Sequence, residues 1–470
     1  VNPEASLKKY TLLVAMGASF LTPFMGSAVN LAVPSIGSEF NSTALMLSWV
    51  VTSYLLASAA FLVPFGRLAD IVGRRKIFLL GLLIFSLSSL FCGLAWSIWS
   101  LILFRCLQGV GSAMIFGTSM AILTSVFPPQ ERGRVLGLNV AVVYIGLSLG
   151  PVLGGWLNHN LGWQSIFYFN VLIGVWVLFF TAFKLQGEWA GARGEEFDLS
   201  GALIYVCGLV AFMYGISSIS TMAWAKYVTL AGLLLIILFI RHELRVPHPV
   251  LNMRLFTGNA TFAFSNLAAL INYSATFAVG FLLSLHLQVV MGYNSQAAGL
   301  VLLSQPVIMA LLSPFAGRLS DRVEPRLVAS WGMALTTLGL FVFCFISQTT
   351  PIWLIVLNLA VLGSGFALFS SPNSNAVMGS VEKKFYGVAS STLGTMRLTG
   401  HAVSMAVVTL VMAFYVGNVM LSPAYADLLV KSARTAFIVS TAFCFAGIFA
   451  SLARGNVRSQ AGPEGKGMGG

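Results

Sequence analysis

Charge is what this sequence has least of. Asp, Glu, Lys and Arg together make up 9% of its 470 residues, against roughly 25% in soluble domains. Too few charges are present to clothe a water-facing surface, which excludes an ordinary soluble globular class. Carboxylates are scarcer still, 14 against 26 Lys and Arg. Cysteine is also sparse: Cys92, Cys106, Cys207, Cys344 and Cys444 all fall in apolar runs, with no C-x-x-C spacing and no histidine pair nearby. That pattern excludes a redox motif or a zinc site and leaves small buried hydrophobes. No embedded nucleophile, acid–base pair or metal cluster is legible, so neither enzymatic chemistry nor a metal or other cofactor is expected.

What is present in quantity is apolar sequence, 57% of the chain. Runs of about 18 to 25 apolar residues recur from end to end, each long enough for a bilayer core of about 30 Å. Backbone groups in lipid must find their partners internally, so these runs are helices and the fold is an all-α membrane protein. They start near residues 10, 46, 77, 100, 135, 164, 199, 224, 260, 297, 327, 352, 386 and 434, giving about fourteen spans. The first, Tyr10 to Pro34, is too long for a cleavable leader and is expected to remain as a span.

The net charge of +12 raises the question of an anionic partner, and its distribution answers it. If the N-terminus is cytoplasmic, only Lys226, Lys431 and Arg434 of the 26 basic residues fall outside, while Arg105 and Arg397 are embedded, which leaves 21 inside. So strong a positive-inside bias sets topology, with both termini cytoplasmic. No basic run is interleaved with aromatics, and nucleic-acid binding is not expected. The Gly-rich end, Ala461 to Gly470, reads as a disordered tail.

One motif occurs twice. Pro64-Phe65-Gly66-Arg67-Leu68-Ala69-Asp70, followed by Gly73-Arg74-Arg75-Lys76, has a copy in Pro314-Phe315-Ala316-Gly317-Arg318-Leu319-Ser320-Asp321. Both copies close one apolar helix and open the next on the basic side. A duplicated hairpin implies two related halves, a recurrent plan of secondary transporters with the binding site between the halves at mid-membrane. Glycine permits the tight turn, arginine anchors at the interface, and each Asp can cap a helix or pair with a basic neighbour.

Gly66 to Lys76 resembles the signature loop between the second and third helices of the major facilitator superfamily. Arg105, Gln108, Gly109 and Gly111 look like its R-x-x-Q-G-x-G pattern, and Gly146, Gly150, Pro151, Gly154 and Gly155 like the G-x(3)-G-P-x(2)-G-G pattern of antiporters. Fourteen spans point to the drug:proton antiporter branch with two extra central helices. Asn30 to Pro34, Trp163 to Gly174 and Gln288 to Gly299 also match that branch. The resemblance implies a six-helix bundle over 1–185, two linker transmembrane helices with cytoplasmic connections over 186–258, a second six-helix bundle over 259–455 and a cytoplasmic tail over 456–470. It implies a multi-pass protein of the inner (plasma) membrane, with a small amphipathic substrate, the lipid bilayer and protons as partners, acting as a monomer.

The residues supply reasons beside the resemblance. Gly146, Gly150 and Gly154 stand four apart and bare one helix face for close packing, while Pro151 permits a bend. Arg105 lies within an apolar span, where charge is costly without a partner or cavity. Aligning Gly109 on Gly363 and Gly111 on Gly365 puts Leu359 at its counterpart, so packing symmetry does not require the charge.

One departure from the branch bears on mechanism. Its first helix commonly reads L-D-x-T-I-V-N, whereas here the stretch is Phe24-Met25-Gly26-Ser27-Ala28-Val29-Asn30, with Met25 at the acidic position. All 14 acids fall in tails, connections or helix ends. What remains embedded is Arg105, Arg397 and His401, the last two sharing a helix face, with His286 near a helix end. Two cationic groups on one wall favour a neutral or anionic substrate over an organic dication. Asp70 and His401, an imidazole with an ordinary pKa of about 6.5, are the candidate proton carriers. Asn30, Gln108, Asn139, Tyr144 and Gln305 are candidate cavity groups. The expected function is export of small hydrophobic or amphipathic compounds by alternating access, with proton antiport, Arg105 and Arg397 at the central cavity and the Gly66 to Lys76 hairpin as a latch that includes Asp321 in its second copy. The rival expectations are a lipid or organic-anion transporter, and a transport-inactive membrane sensor or interaction protein that keeps the fold.

Overall fold

A computed structural model describes residues 3–219, 222–381, 386–417 and 420–455; the 456–470 tail lies outside them. Among the described residues, 14 helical stretches are long and apolar enough to cross a membrane. The first half comprises α1 (Pro3–Phe40), α2 (Ala44–Val72), α3 (Arg74–Gly93), α4 (Ile98–Val126), α5 (Pro129–Leu161) and α6 (Gln164–Phe183). Two further spans follow, α7 (Leu199–Ser218) and α8 (Ala225–Glu243), then a short helix α9 (Arg254–Gly258). The second half begins with α10 (Ala260–Thr276) and α11 (Val279–Leu285), which together with a π-helical turn (His286–Val290) make one span. The next span is α12 (Ser295–Leu302) plus α13 (Ser304–Arg322), and α14 (Pro325–Phe343), α15 (Ile352–Gly379), α16 (Tyr386–Tyr415) and α17 (Ala426–Ala453) complete it.

The duplicated sequence has a duplicated packing plan. In the first half α4 packs on α2 and α3, α3 on α6, and α1 on α5 and α6; in the second, α15 packs on α13 and α14, α14 on α17, and α10 on α16 and α17. Small residues make corresponding helices touch. A Cβ at Gly81 of α3 would stand 3.1 Å from the Gly111 carbonyl of α4, and one at Gly332 of α14 would stand 2.7 Å from the Gly365 carbonyl of α15. Without a hydrophobic gain from leaving lipid, such close approach is what holds membrane helices together.

The halves meet through α2 on α16, α5 on α12 and α13, and α1 on α11. The linker helices pack chiefly on each other, with Gly208, Gly215 and Gly232 at the contact, and α7 also touches both α2 and α16. The two hairpins α2–α3 and α13–α14 lie at one face, called here the basic face after Arg67, Arg74, Arg75, Arg318 and Arg326.

Candidate functional site

At the basic face Gly73 ends α2 and starts α3 in a single residue with φ +132°, a conformation that disfavours any side chain. Gly66 lies inside α2 instead of in the turn, so only Gly73 serves the tight turn expected of the motif. Arg74 Nε donates to Asp70 Oδ1 at 2.8 Å, and its Nη1 donates to Ser125 Oγ at 2.6 Å and the Ala121 carbonyl at 3.2 Å. The hairpin is thereby bound to the end of α4. Arg75 Nη2 donates to the Ala182 and Thr181 carbonyls at 2.9 and 3.3 Å, at the end of α6. The side chain of Asp321, expected in the second copy, lies outside the described residues.

The connection 184–198 does more than link two helices. Ala192 N donates to the Asp70 carbonyl and Arg74 N to the Trp189 carbonyl, at 2.9 and 2.8 Å. Arg75 N donates to Glu188 Oε1 at 2.9 Å. Arg67 forms an ion pair with Glu195, which His248 also meets at 2.9 Å. The Arg67 guanidinium holds the Glu195 carboxyl below its ordinary pKa, with His248 adding to the effect. Three bonds and an ion pair make this segment a strap across the hairpin.

Arg105 is not at the gap between the halves. It is fully buried inside the first half, where Nε donates to the Val50 carbonyl at 2.9 Å and Nη1 to Gln108 Oε1 at 2.5 Å. Gln108 Nε2 passes the chain on to Ser89 Oγ at 2.7 Å, and the guanidinium lies 4.2 Å above the Tyr54 ring. The charge expected in the central cavity thus ties α4 to α2 and, through Gln108, to α3. One backbone carbonyl, one amide oxygen and a π face hold the guanidinium without any cavity, while its buried Nη2 has no hydrogen-bond partner among the described residues. Leu359 occupies the corresponding place in the second half, fully buried in the apolar core.

Near mid-depth, side chains from both halves converge. The Tyr144 hydroxyl of α5 lies 3.2 Å from Ser370 Oγ of α15, which in turn is 3.5 Å from the Tyr273 hydroxyl of α10. The Arg397 guanidinium of α16 lies 4.7 Å from the centre of the Phe116 ring of α4. One turn on, the His401 ring stacks on Phe277 at 4.2 Å and meets Tyr273 edge-on at 5.4 Å. Tyr273 also meets Phe366 at 5.4 Å. Arg397 makes no ion pair with any described carboxylate. Met25, where the branch commonly has an acid, is buried with its sulfur 3.1 Å from Asn170 Nδ2.

The other expected cavity groups divide between two roles. The Asn30 carbonyl accepts from Ser284 Oγ at 2.7 Å, which joins α1 to α11 across the halves. Asn139 packs within the first half, Nδ2 3.2 Å from Met120 Sδ. The Gln305 backbone meets α15, where a Cβ at Gly363 would stand 2.5 Å from its carbonyl oxygen.

The antiporter-type motif also splits. Cβ atoms at Gly146 and Gly154 would stand 2.8 Å from the Phe20 carbonyl and 2.7 Å from Ala28 Cβ, and one at Gly150 would overlap Ser27 Oγ; all three face α1 within the first half. Gly155 and Pro151 face the other half. A Cβ at Gly155 would overlap the Ser295 carbonyl, and one at Gly299 would overlap that of Pro151. Ser295 Oγ donates to the Gly155 carbonyl at 3.0 Å. This seam lies towards the face away from the hairpins, as do the Asn30–Ser284 bond and the Thr52–Thr409 pair at 3.0 Å.

The model of the Major Facilitator Superfamily matches the chain twice, over residues 15–264 and 265–468. The chain belongs to this superfamily. It is 35% identical over 413 residues to the cephamycin export protein CmcT of Amycolatopsis lactamdurans, covering 86% of this chain and 85% of that one. It is 33% identical over 407 residues to the multidrug resistance protein Stp of Mycobacterium tuberculosis, covering 85% and 75%. It is 27% identical over 441 residues to the riboflavin transporter RibZ of Clostridioides difficile, covering 94% and 96%. A bacterial homolog of the human lysosomal transporter Spinster, solved in an inward-facing, unoccupied conformation, has the same fold with a TM-score of 0.66, 16% identity and coverage of 95% and 97%. This major facilitator protein is therefore a membrane-embedded secondary transporter and not an enzyme.

Proposed function

We propose that the protein exports small hydrophobic or amphipathic molecules by alternating access, in exchange for protons, across the bacterial inner membrane, acting as a monomer with both termini cytoplasmic. The observation that carries this reading is the seam between the halves. Helices α5 and α12 touch backbone to backbone at Gly155–Ser295 and Gly299–Pro151, on the side away from the basic hairpins. A close glycine contact at one face, with a polar and aromatic cluster from both halves near mid-depth, is the layout of a transporter shut on one side of its binding site. A cephamycin export protein and a multidrug resistance protein among the relatives support the direction and the amphipathic class.

The proton carriers in this reading are Asp70, whose carboxylate accepts from Arg74 Nε in the hairpin, and His401 in the cluster. Proteoliposomes with an imposed pH gradient test the proposal. A panel of ethidium, nile red and fluorescein is expected to include at least one dye that accumulates until nigericin collapses the gradient. Folded protein that moves no dye of any charge would refute export of amphipathic compounds. Substrate-dependent pH changes that are the same in Asp70→Asn and His401→Ala as in the parent would remove both residues as carriers.

A further inference from the structure

The cluster at mid-depth has a chemistry that selects among amphipathic molecules. We infer that it is a seat for planar aromatic anions, with Arg397 as the residue that receives the negative group; this rests on the transport reading only for its physiological meaning, and the seat itself is tested by binding. The acidic residues of the described helices all sit at helix ends, so none lies beside the Arg397 guanidinium. Its observed neighbour is the face of Phe116, which attracts a cation but does not neutralise it. An unneutralised guanidinium at this depth repels an organic cation and gains most from a carboxylate or phenolate, which it can grip with two parallel N–H bonds.

Planarity follows from the ring geometry. His401 is already stacked on Phe277 with the planes 28° apart, and Tyr273 is edge-on to both His401 and Phe366. The Phe116 face thus meets the guanidinium from the first half, while His401, one turn on from Arg397, is packed with Phe277 and Tyr273 in the second half, and a flat ring can stack among such rings where a bulky alicyclic body cannot. The hydroxyls of Tyr144 and Tyr273, at 3.2 and 3.5 Å from Ser370 Oγ, offer donors and acceptors with it to a ring substituent. The site therefore reads both charge and shape.

The experiment compares fluorescein with tetramethylrhodamine methyl ester, which carries a positive charge on the same xanthene skeleton, and with cholate, an anion without aromatic rings. Binding to the purified full chain is followed by fluorescence anisotropy, with cholate as competitor. Fluorescein is expected to bind about ten- to a hundredfold more tightly than the cationic dye, and Arg397→Gln to lose about the same factor. Lys431→Ala, at an exposed position near the start of α17, is expected to bind like the parent. Size-exclusion profile and thermal unfolding confirm that Arg397→Gln is folded. Equal or tighter binding of the cationic dye, or parent-like fluorescein binding by folded Arg397→Gln, overturns the inference; cholate displacing fluorescein with an inhibition constant equal to the Kd of fluorescein overturns its planar part. Counterflow in liposomes separates the two readings. Fluorescein bound but not exchanged supports the seat and removes the transport role, whereas counterflow of the cationic dye without fluorescein binding removes the seat and leaves transport standing.

Discussion

Replacing Gly155 by alanine tests whether the α5–α12 seam is a contact made in only one conformational state. The added Cβ would meet the Ser295 carbonyl oxygen and stand 3.1 Å from its carbon and 3.2 Å from Gln296 Cα. All three neighbours are backbone, so no side-chain rotation relieves the overlap and the helices must separate. Overpacking of this kind costs about 1–3 kcal/mol. If the seam is released when the far face opens, that cost falls on the closed state alone and shifts the equilibrium towards opening by about 5- to 150-fold. Gly154→Ala is the control, because its Cβ would meet Ala28 within the first half and should penalise both states alike. The assay is maleimide labelling of a cysteine placed at Ser284, a fully buried position beside the seam, in a background without the five native cysteines. Gly155→Ala should label faster by the factor given, and Gly154→Ala should label at the parent rate with a lowered melting temperature. Equal labelling rates in the two variants would refute the assignment of Gly155 to the seam between states.

Arg105→Lys should lower thermal stability by about 1–3 kcal/mol, because an ammonium cannot reach the Val50 carbonyl and Gln108 together in the geometry of a guanidinium. The relative affinity for fluorescein and the cationic dye should be unchanged; altered charge selectivity would return Arg105 to the cavity. Arg74→Gln removes the fork that holds Asp70, Ala121 and Ser125, and cysteine cross-linking between the ends of α2 and α4 should report a looser hairpin, while unaltered cross-linking would exclude a latch. The strap should depend on pH. Glu195 has a folded-state pKa below its ordinary value, so its stabilising contribution is present above the ordinary carboxylate pKa of about 4.3 and is lost as pH falls through the lower folded value. Hydrogen exchange at the Ala192 amide, corrected for its intrinsic rate, should therefore lose protection on acidification through that range. Glu195→Gln should show the low protection at every pH, and a parent-like profile in that variant would assign the bond to packing alone.

The spans were legible because hydropathy over a bilayer thickness is a strong constraint, and the doubled hairpin and paired glycines announced two related halves. Individual side chains were less so. A charge inside an apolar run marks Arg105 as unusual, but nothing local says whether a cavity or the Val50 carbonyl of another helix receives it. Arg454 looked like one more topology-setting charge. It is instead fully buried, with Nη1 donating to Asn373 Oδ1 at 3.0 Å and Nε to the Ser451 carbonyl at 2.8 Å, joining α17 to α15. Phe116 and Phe277 carried no signal at all, since a phenylalanine facing lipid and one facing a cationic residue look identical in sequence. The strap was hidden for a related reason: most of its bonds run through backbone groups, which every residue has.

The linker helices acquire a mechanical meaning from where they attach. The outer face of α8 is apolar and exposed, through Leu230, Leu233, Leu234, Ile237 and Leu238, as suits lipid. Helix α7 instead lies along the α2–α16 seam: the Tyr205 hydroxyl donates to the Ala59 carbonyl of α2 at 3.3 Å and also interacts with Thr399 of α16. Near its other end Ser217 Oγ donates to the Ala406 carbonyl of α16 at 3.5 Å. A rocking motion that separates α2 from α16 must break at least one of these bonds, whichever half α7 follows. Each is a single neutral hydrogen bond, worth about 0.5–1.5 kcal/mol net, so α7 biases such a motion without blocking it. The strap 184–198 leads directly into α7 and is bonded to the α2–α3 hairpin, so the hairpin and the seam between the halves are joined by one continuous stretch of chain.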